Sequence, residues 1–211
     1  MKRIFLLFII SLISFLIIPS AFAQTANDYF DMGVGKVKVG EYEEAIQDFN
    51  MAIILNPNYI IKADAYANIG YIKNLLGDNK GAIQNCDKAI ELDPMNVKAY
   101  VERGAAKATL GKKVEGIRDF SKAIALDPKK VRAYVGRGIA KKGLGDLQGA
   151  IQDFNMAIIL DPNGVEGLKS YLGRGLAKIE LGQEKDGCLD LSKAGELGWY
   201  EAYKYVKQFC N

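Results

Sequence analysis

Proline recurs in this chain of 211 residues with a regularity that settles its architecture before any single motif is considered. Asn-Pro or Asp-Pro pairs place it at Pro57, Pro94, Pro128 and Pro162, at spacings of 37, 34 and 34 residues. A glycine keeps step at Gly33, Gly70, Gly104, Gly138 and Gly175, with a tyrosine four residues before each (Tyr29, Tyr66, Tyr100, Tyr134, Tyr171). An alanine follows each glycine by nineteen residues, at Ala52, Ala89, Ala123, Ala157 and Ala194. Several columns held in register at one period mark a tandem array of small units.

Between these anchors the apolar residues fall at helical spacing, as in Ala45, Ile46, Phe49, Ala52 and Ile53. Each unit therefore holds two helices. The first runs from just before the tyrosine to Leu76, Leu110, Leu144 or Leu181, and Gly77, Gly111, Gly145 and Gly182 supply the turn into the second. Asp-Pro then ends the second helix, because proline forces the residue before it out of the helical region. Small side chains in the glycine and alanine columns let the paired helices approach while the tyrosines fill the space beside them. One unit cannot bury its apolar face alone, so the units must stack.

This pattern of Tyr, Gly, Gly, Ala, Phe, Ala and Pro resembles the tetratricopeptide repeat. The resemblance implies an all-α fold, a right-handed superhelical solenoid of antiparallel helix pairs closed by a C-terminal capping helix. It spans residues 24–195, with units at about 26–59, 63–96, 97–130 and 131–164 and a degenerate fifth at 168–195. In that fifth unit Leu191 replaces the phenylalanine and Gly198 with Trp199 replaces the proline stop, so residues 196–211 form the cap. Residues 45–55 recur unchanged as residues 150–160, a sign of duplicated units.

Ahead of the array, residues 1–23 carry Lys2 and Arg3, an apolar run from Ile4 to Ile18, and an Ala-x-Ala exit at Ala23. That is the pattern of a secretory signal peptide, and it predicts an exported protein, periplasmic or secreted. The alternative is an uncleaved anchor, but the run falls short of the ~20 residues that cross a bilayer comfortably. No stable membrane insertion is expected once the segment is cleaved. Lys and Arg number 28 against 25 Asp and Glu, a net charge of +3 that includes Lys2 and Arg3, so no electrostatic case exists for a nucleic-acid partner. The sequence contains no histidine, which removes His-based triads, zinc sites and the usual general base. Gly111 with Lys112 does not complete a phosphate-binding loop, and Gly136 with Gly138 lacks the third glycine of a dinucleotide fingerprint. Neither catalysis nor a cofactor or metal is expected.

The resemblance implies that the first helices line a concave face that binds an extended peptide or a partner helix. On this chain that face would present Asn27, Phe30, Val34, Asp64, Ala67, Tyr71, Asn74, Lys98, Val101, Ala105, Arg132, Val135, Ile139, Lys142, Lys169 and Leu172. The expected wall is apolar and small, with a basic strip of Lys98, Arg132 and Lys169 suited to an apolar or mildly acidic peptide. The plainer reading is that small residues merely let neighbouring helices pack. The carboxylate clamp of some members of the family is not expected: its sites fall on Phe30, Val34, Asn68, Lys98 and Glu102, with an acid where an arginine is needed. An alternative is an accessory subunit that binds a non-protein envelope ligand, a glycan or a lipid, for which Phe30 and Tyr71 are the aromatic steps.

Two polar columns accompany the repeat. Arg103, Arg137 and Arg174 precede the packing glycines, and Asp119, Asp153 and Asp190 follow them by sixteen residues; in the second unit both are lost together, to Ile69 and Asn85. This joint change predicts a structural ion pair within the units that keep both partners; the first unit, with Asp48 opposite Met32, is the exception. Lys36, Lys73, Lys107, Lys141 and Lys178 form a second ladder, read as a solvated edge. Of the three cysteines, Cys86 takes a phenylalanine site and reads as a buried apolar residue, and Cys188 and Cys210 are candidates for a disulfide that staples the cap.

Overall fold

A computed structural model describes residues 25–55 and 58–210; the leader at residues 1–23 lies outside them. Eleven helices and no strand occur among the described residues. The first helices of the five units are α1 (Ala26–Val39), α3 (Tyr59–Leu75), α5 (Val97–Thr109), α7 (Val131–Lys142) and α9 (Val165–Glu180). Their partners are α2 (Tyr42–Leu55), α4 (Asn79–Leu92), α6 (Lys113–Leu126), α8 (Leu147–Leu160) and α10 (Glu184–Glu196), and α11 (Ala202–Phe209) closes the chain. Each first helix packs on its own partner, each partner packs on the next first helix, and first helices of neighbouring units also touch. The result is the all-helical stack of helix pairs that the repeat demands.

Local chemistry sets each boundary. Thr25 caps α1 in a reciprocal capping box with Asp28, and the Asp78 and Asp146 side chains accept from the Gly81 and Gly149 amides at the starts of α4 and α8. The turns between paired helices pass through Gly77, Gly111, Gly145 and Gly182 at φ of 81, 83, 84 and 77°, and Gly40 does the same in the first unit at 84°. Only glycine enters that left-handed region without steric cost. Asp93, Asp127 and Asp161 end the second helices just ahead of Pro94, Pro128 and Pro162. One boundary differs from expectation: α3 starts at Tyr59, ahead of the unit start at 63, because Asn58 caps it by accepting from the Ile60 amide. The three extra residues of the first 37-residue spacing therefore lengthen this helix.

The glycine column exists for the phenylalanines. A Cβ on Gly33 or Gly138 would sit 2.9 or 3.0 Å from the ring of Phe49 or Phe154, so the bare backbone is what lets each ring lie between the paired helices. In the second unit the thiol of Cys86 fills that place, and a Cβ on Gly70 would meet it at 2.5 Å. Cys86 is fully buried, and burial pushes its thiol up to about 12. It is an inert core residue.

The arginine column forms the ion pairs expected and reaches further. Arg103, Arg137 and Arg174 each grip the carboxylate of Asp119, Asp153 or Asp190 through two nitrogens. The third nitrogen crosses to the preceding unit, to Asp87, Ser121 or Asn155. Each guanidinium also lies over the tyrosine three residues before it, at 5.4 to 5.8 Å. For Arg103, burial alone would lower its pKa, but the hydrogen bonds to Asp119 and Asp87 win and raise it.

The lysine ladder is not a solvated edge. Lys107, Lys141 and Lys178 turn inward onto the same three aspartates at 2.8 Å, and Lys36 pairs with Asp48 at 2.7 Å. A carboxylate almost closed to water attracts a second cation more strongly than solvent does. Where that carboxylate is missing, in the second unit, Lys73 turns to Asp78 instead.

Candidate functional site

The first helices bring part of the expected surface together in the middle of the array and bury the rest. Tyr71 of α3 stands at the centre, with Lys98 Nζ 5.1 Å and the Arg132 guanidinium 5.3 Å from its ring. Arg132 donates to Glu102 at 2.8 Å and lies 3.9 Å from Glu166. Lys98 donates to Asn68, Asp64 accepts from Asn96 at 2.7 Å, and the Asn74 amide donates to the Glu102 carbonyl at 2.8 Å. Three successive units thus contribute to one polar cluster around one aromatic ring.

Several residues expected on the wall are not on it. Val101 and Val135 are only 2% and 4% exposed, inside apolar clusters with Phe120 and Ala157 respectively, and Ala67 is fully buried beside Cys86. Phe30 packs edge-on against Phe49 at 5.4 Å and Val34 joins the same cluster, so the first unit offers Asn27 but no aromatic anchor there. Ala105 and Leu172 are half-buried, while Ile139 is 57% exposed and is the open apolar side chain of the set. Lys142 is bridged to Glu180 and Lys169 to Glu166, so the basic strip is largely neutralised.

The residue that organises the cluster is Glu102, the acid that stands where a carboxylate clamp needs an arginine. It is 1% exposed and holds Arg132 against the face. Its column, two residues before the packing glycine, reads Asp31, Asn68, Glu102, Gly136 and Gly173, polar in the first three units and bare in the last two. That switch is the signal that could have located the site.

Lys98 is the unusual charge. Burial lowers its pKa and the carboxylate of Glu102 only partly offsets this, yet its ammonium meets the Asn68 oxygen and the Tyr71 ring rather than a paired acid. Beside it, Asn74 Oδ1 is buried and accepts no hydrogen bond. The half-buried cation is what a ligand can complete, by supplying an anion, whereas Asn74 Oδ1 is closed to solvent and out of a ligand's reach. No group of His, Cys, Asp and Glu suited to a metal ion occurs among the described residues. No helix among them is long and apolar enough to cross a membrane.

Comparison with known proteins agrees with this architecture. Residues 63–96 match the family model described as Tetratricopeptide repeat. The chain is 36% identical over 69 residues to "Tetratricopeptide repeat protein 36 homolog" of Nematostella vectensis, a stretch covering 33% of this chain and 36% of that one. The match thus spans about a third of the curated relative. Among solved structures, TTC0263, a thermophilic TPR protein of Thermus thermophilus, superposes with a TM-score of 0.69 at 17% identity, over 87% of this chain and 96% of that one. YrrB, described as a TPR protein with an unusual peptide-binding site, gives 0.64 at 18% identity over 87% and 92%. Residues 63–96 thus match a tetratricopeptide repeat, and the chain as a whole shares the all-helical repeat-solenoid fold of these structures.

Proposed function

We propose that this protein is a binding module, an adaptor or assembly scaffold that takes a peptide or helix of a partner protein on the face centred on Tyr71. The observation that carries this reading is the Lys98 ammonium, which meets the Asn68 oxygen and the Tyr71 ring but no paired acid. A peptide bearing an acidic side chain supplies that missing acid. Ile139, open on α7, gives an apolar residue of the same partner a place to rest. The peptide-binding site ascribed to YrrB, on a similar fold, supports this assignment. The sugar and lipid alternative is weaker here, because the Tyr71 ring is already flanked by two cations.

We also propose that the protein acts outside the cytoplasm. The pattern of residues 1–23 supports export, and a bond between Cys188 and Cys210 suits an oxidising compartment. Cell fractionation with N-terminal sequencing tests it: a product beginning at Gln24 in the exported fraction supports export, and a cytoplasmic product beginning at Met1 overturns it.

The binding reading is tested by capture from cell extract with the wild-type protein and with a Tyr71→Ala, Ile139→Asp variant, both verified as equally helical. A protein retained by the first and lost by the second, and displaced by an acidic peptide copied from it, supports the site. Equal capture by both baits moves the interaction to another surface.

A further inference from the structure

The array ends differently from the way it repeats. After α2, α4, α6 and α8 the next first helix is 12 to 17 residues long, but after α10 comes α11 with eight. This helix packs on α10, buries only Ala202 completely, and has no side-chain cap at its N-terminus. Tyr203 lies across Gly195, where a Cβ would meet its ring at 2.7 Å. A helix of this length is not stable by itself in water, and its packing is confined to α10. Its tie to the array is covalent: Cys210, just past its last turn, is bonded to Cys188 on α10 across a sequence separation of 22.

The bond is not sealed in the core. Both cysteines are half-buried and line an open cavity of about 490 Å³ with Glu184, Lys185, Leu189, Val206 and Phe209. A thiolate can approach through that opening, whose rim carries one charge of each sign, Glu184 and Lys185. Cys86 takes no part, being buried in the second unit with its thiol held protonated.

We propose that the Cys188–Cys210 bond is a thiol-exchange site that works as a latch: a dithiol reductant opens it, and α11 then leaves the end of the array. In the exchange the reductant's first thiolate forms a bond to one of the two sulfurs and expels the other as a thiolate, which takes up a proton. The reductant's second thiolate then attacks its own sulfur in the mixed disulfide, departs as an intramolecular disulfide, and frees the second cysteine. Two electrons pass from the reductant to the chain, and two thiols result. The surface uncovered is the face of α10 around Gly195, equivalent to the face on which α4, α6 and α8 each receive the next first helix. The latch therefore decides whether the array presents a closed or an open end.

Amide hydrogen exchange on the purified protein, with and without dithiothreitol, tests this. Thiol counting in denaturant should rise from one to three, and exchange in residues 202–209 should accelerate about tenfold or more while α1 to α8 keep their protection. A Cys210→Ser variant should show the fast exchange without reductant, and reoxidation of the wild type should restore protection. The proposal is overturned if the native protein keeps its bond in dithiothreitol, if residues 202–209 stay protected once it is cut, or if the whole array loses protection with them.

Discussion

The junction between the first two units and the three junctions after it do one job with opposite chemistry. Downstream, an arginine ties its own helix, the aspartate of its partner and the preceding unit into one charged knot. At the first junction Ile69 stands in the arginine's column, almost fully buried in a cluster with Ala45, Phe49 and Ile72. Asn85 replaces the aspartate and donates to the Gly81 carbonyl of its own helix. The comparison teaches that this position is a strut that can be built polar or apolar: arginine and aspartate give way together to Ile69 and Asn85, the surviving Lys73 turns to Asp78, and Asp48 of the first unit, with Met32 in the arginine column, is held by Lys36. A survivor of the charged set needs a new mate, because a buried ion without one is costly.

The sharpest way to break the comparison is to remove one member of a complete knot. Asp153→Ala leaves Arg137 and Lys141 facing an empty site and should cost about 3–5 kcal/mol in chemical denaturation; a loss below about 1 kcal/mol would mean that the knot is peripheral. Ile69→Ala, on the apolar side, should cost about 2–4 kcal/mol by leaving a cavity next to Phe49, and an unchanged midpoint would show that this junction is loosely packed. Asp48→Ala strips a carboxylate with a single, more exposed lysine partner, so about 1–2 kcal/mol is expected; a cost equal to that of Asp153→Ala would erase the contrast.

The smallest effect concerns Lys98. Its folded pKa lies below the unfolded value of 10.5, so the charged form weakens the fold at any pH under the lowered pKa. That penalty fades as pH rises through the lowered pKa towards 10.5. Against a Lys98→Met variant, the wild type should therefore gain relative stability in that window. A relative loss would show that Lys98 is held by its neighbours more than burial disfavours it.

The fold was legible because the repeat reports tertiary contacts as columns. Gly33 and Phe49, or Gly138 and Phe154, touch at a fixed offset, and reading two units side by side exposes the pair. The arginine and aspartate columns were legible for the same reason, their joint loss at Ile69 and Asn85 being as informative as their presence. The lysine ladder was misread, since spacing gives the face of a helix but not the direction of a long flexible side chain. The candidate site was legible only in outline. Tyr71, Lys98 and Arg132 follow from their helix face, whereas the burial of Val101 and Val135 depends on how closely neighbouring first helices approach. That distance is set by the small residues around them, and no single column carries it.

The eleven residues shared by α2 and α8 have a consequence for how the chain reaches its native state. Both copies bury the same alanines and phenylalanine and leave the same isoleucine open, Ile54 at 72% and Ile159 at 70%. To α1 in a collapsing chain, α8 therefore presents the same apolar stripe as α2. Looping out the units between them costs only a slowly growing closure entropy, so the wrong pairing is accessible early. It is rejected later, when the excluded units fail to bury their own faces. The shared stripe therefore predicts a slow refolding phase from a register error three units long, which a change confined to the buried stripe of one copy would weaken.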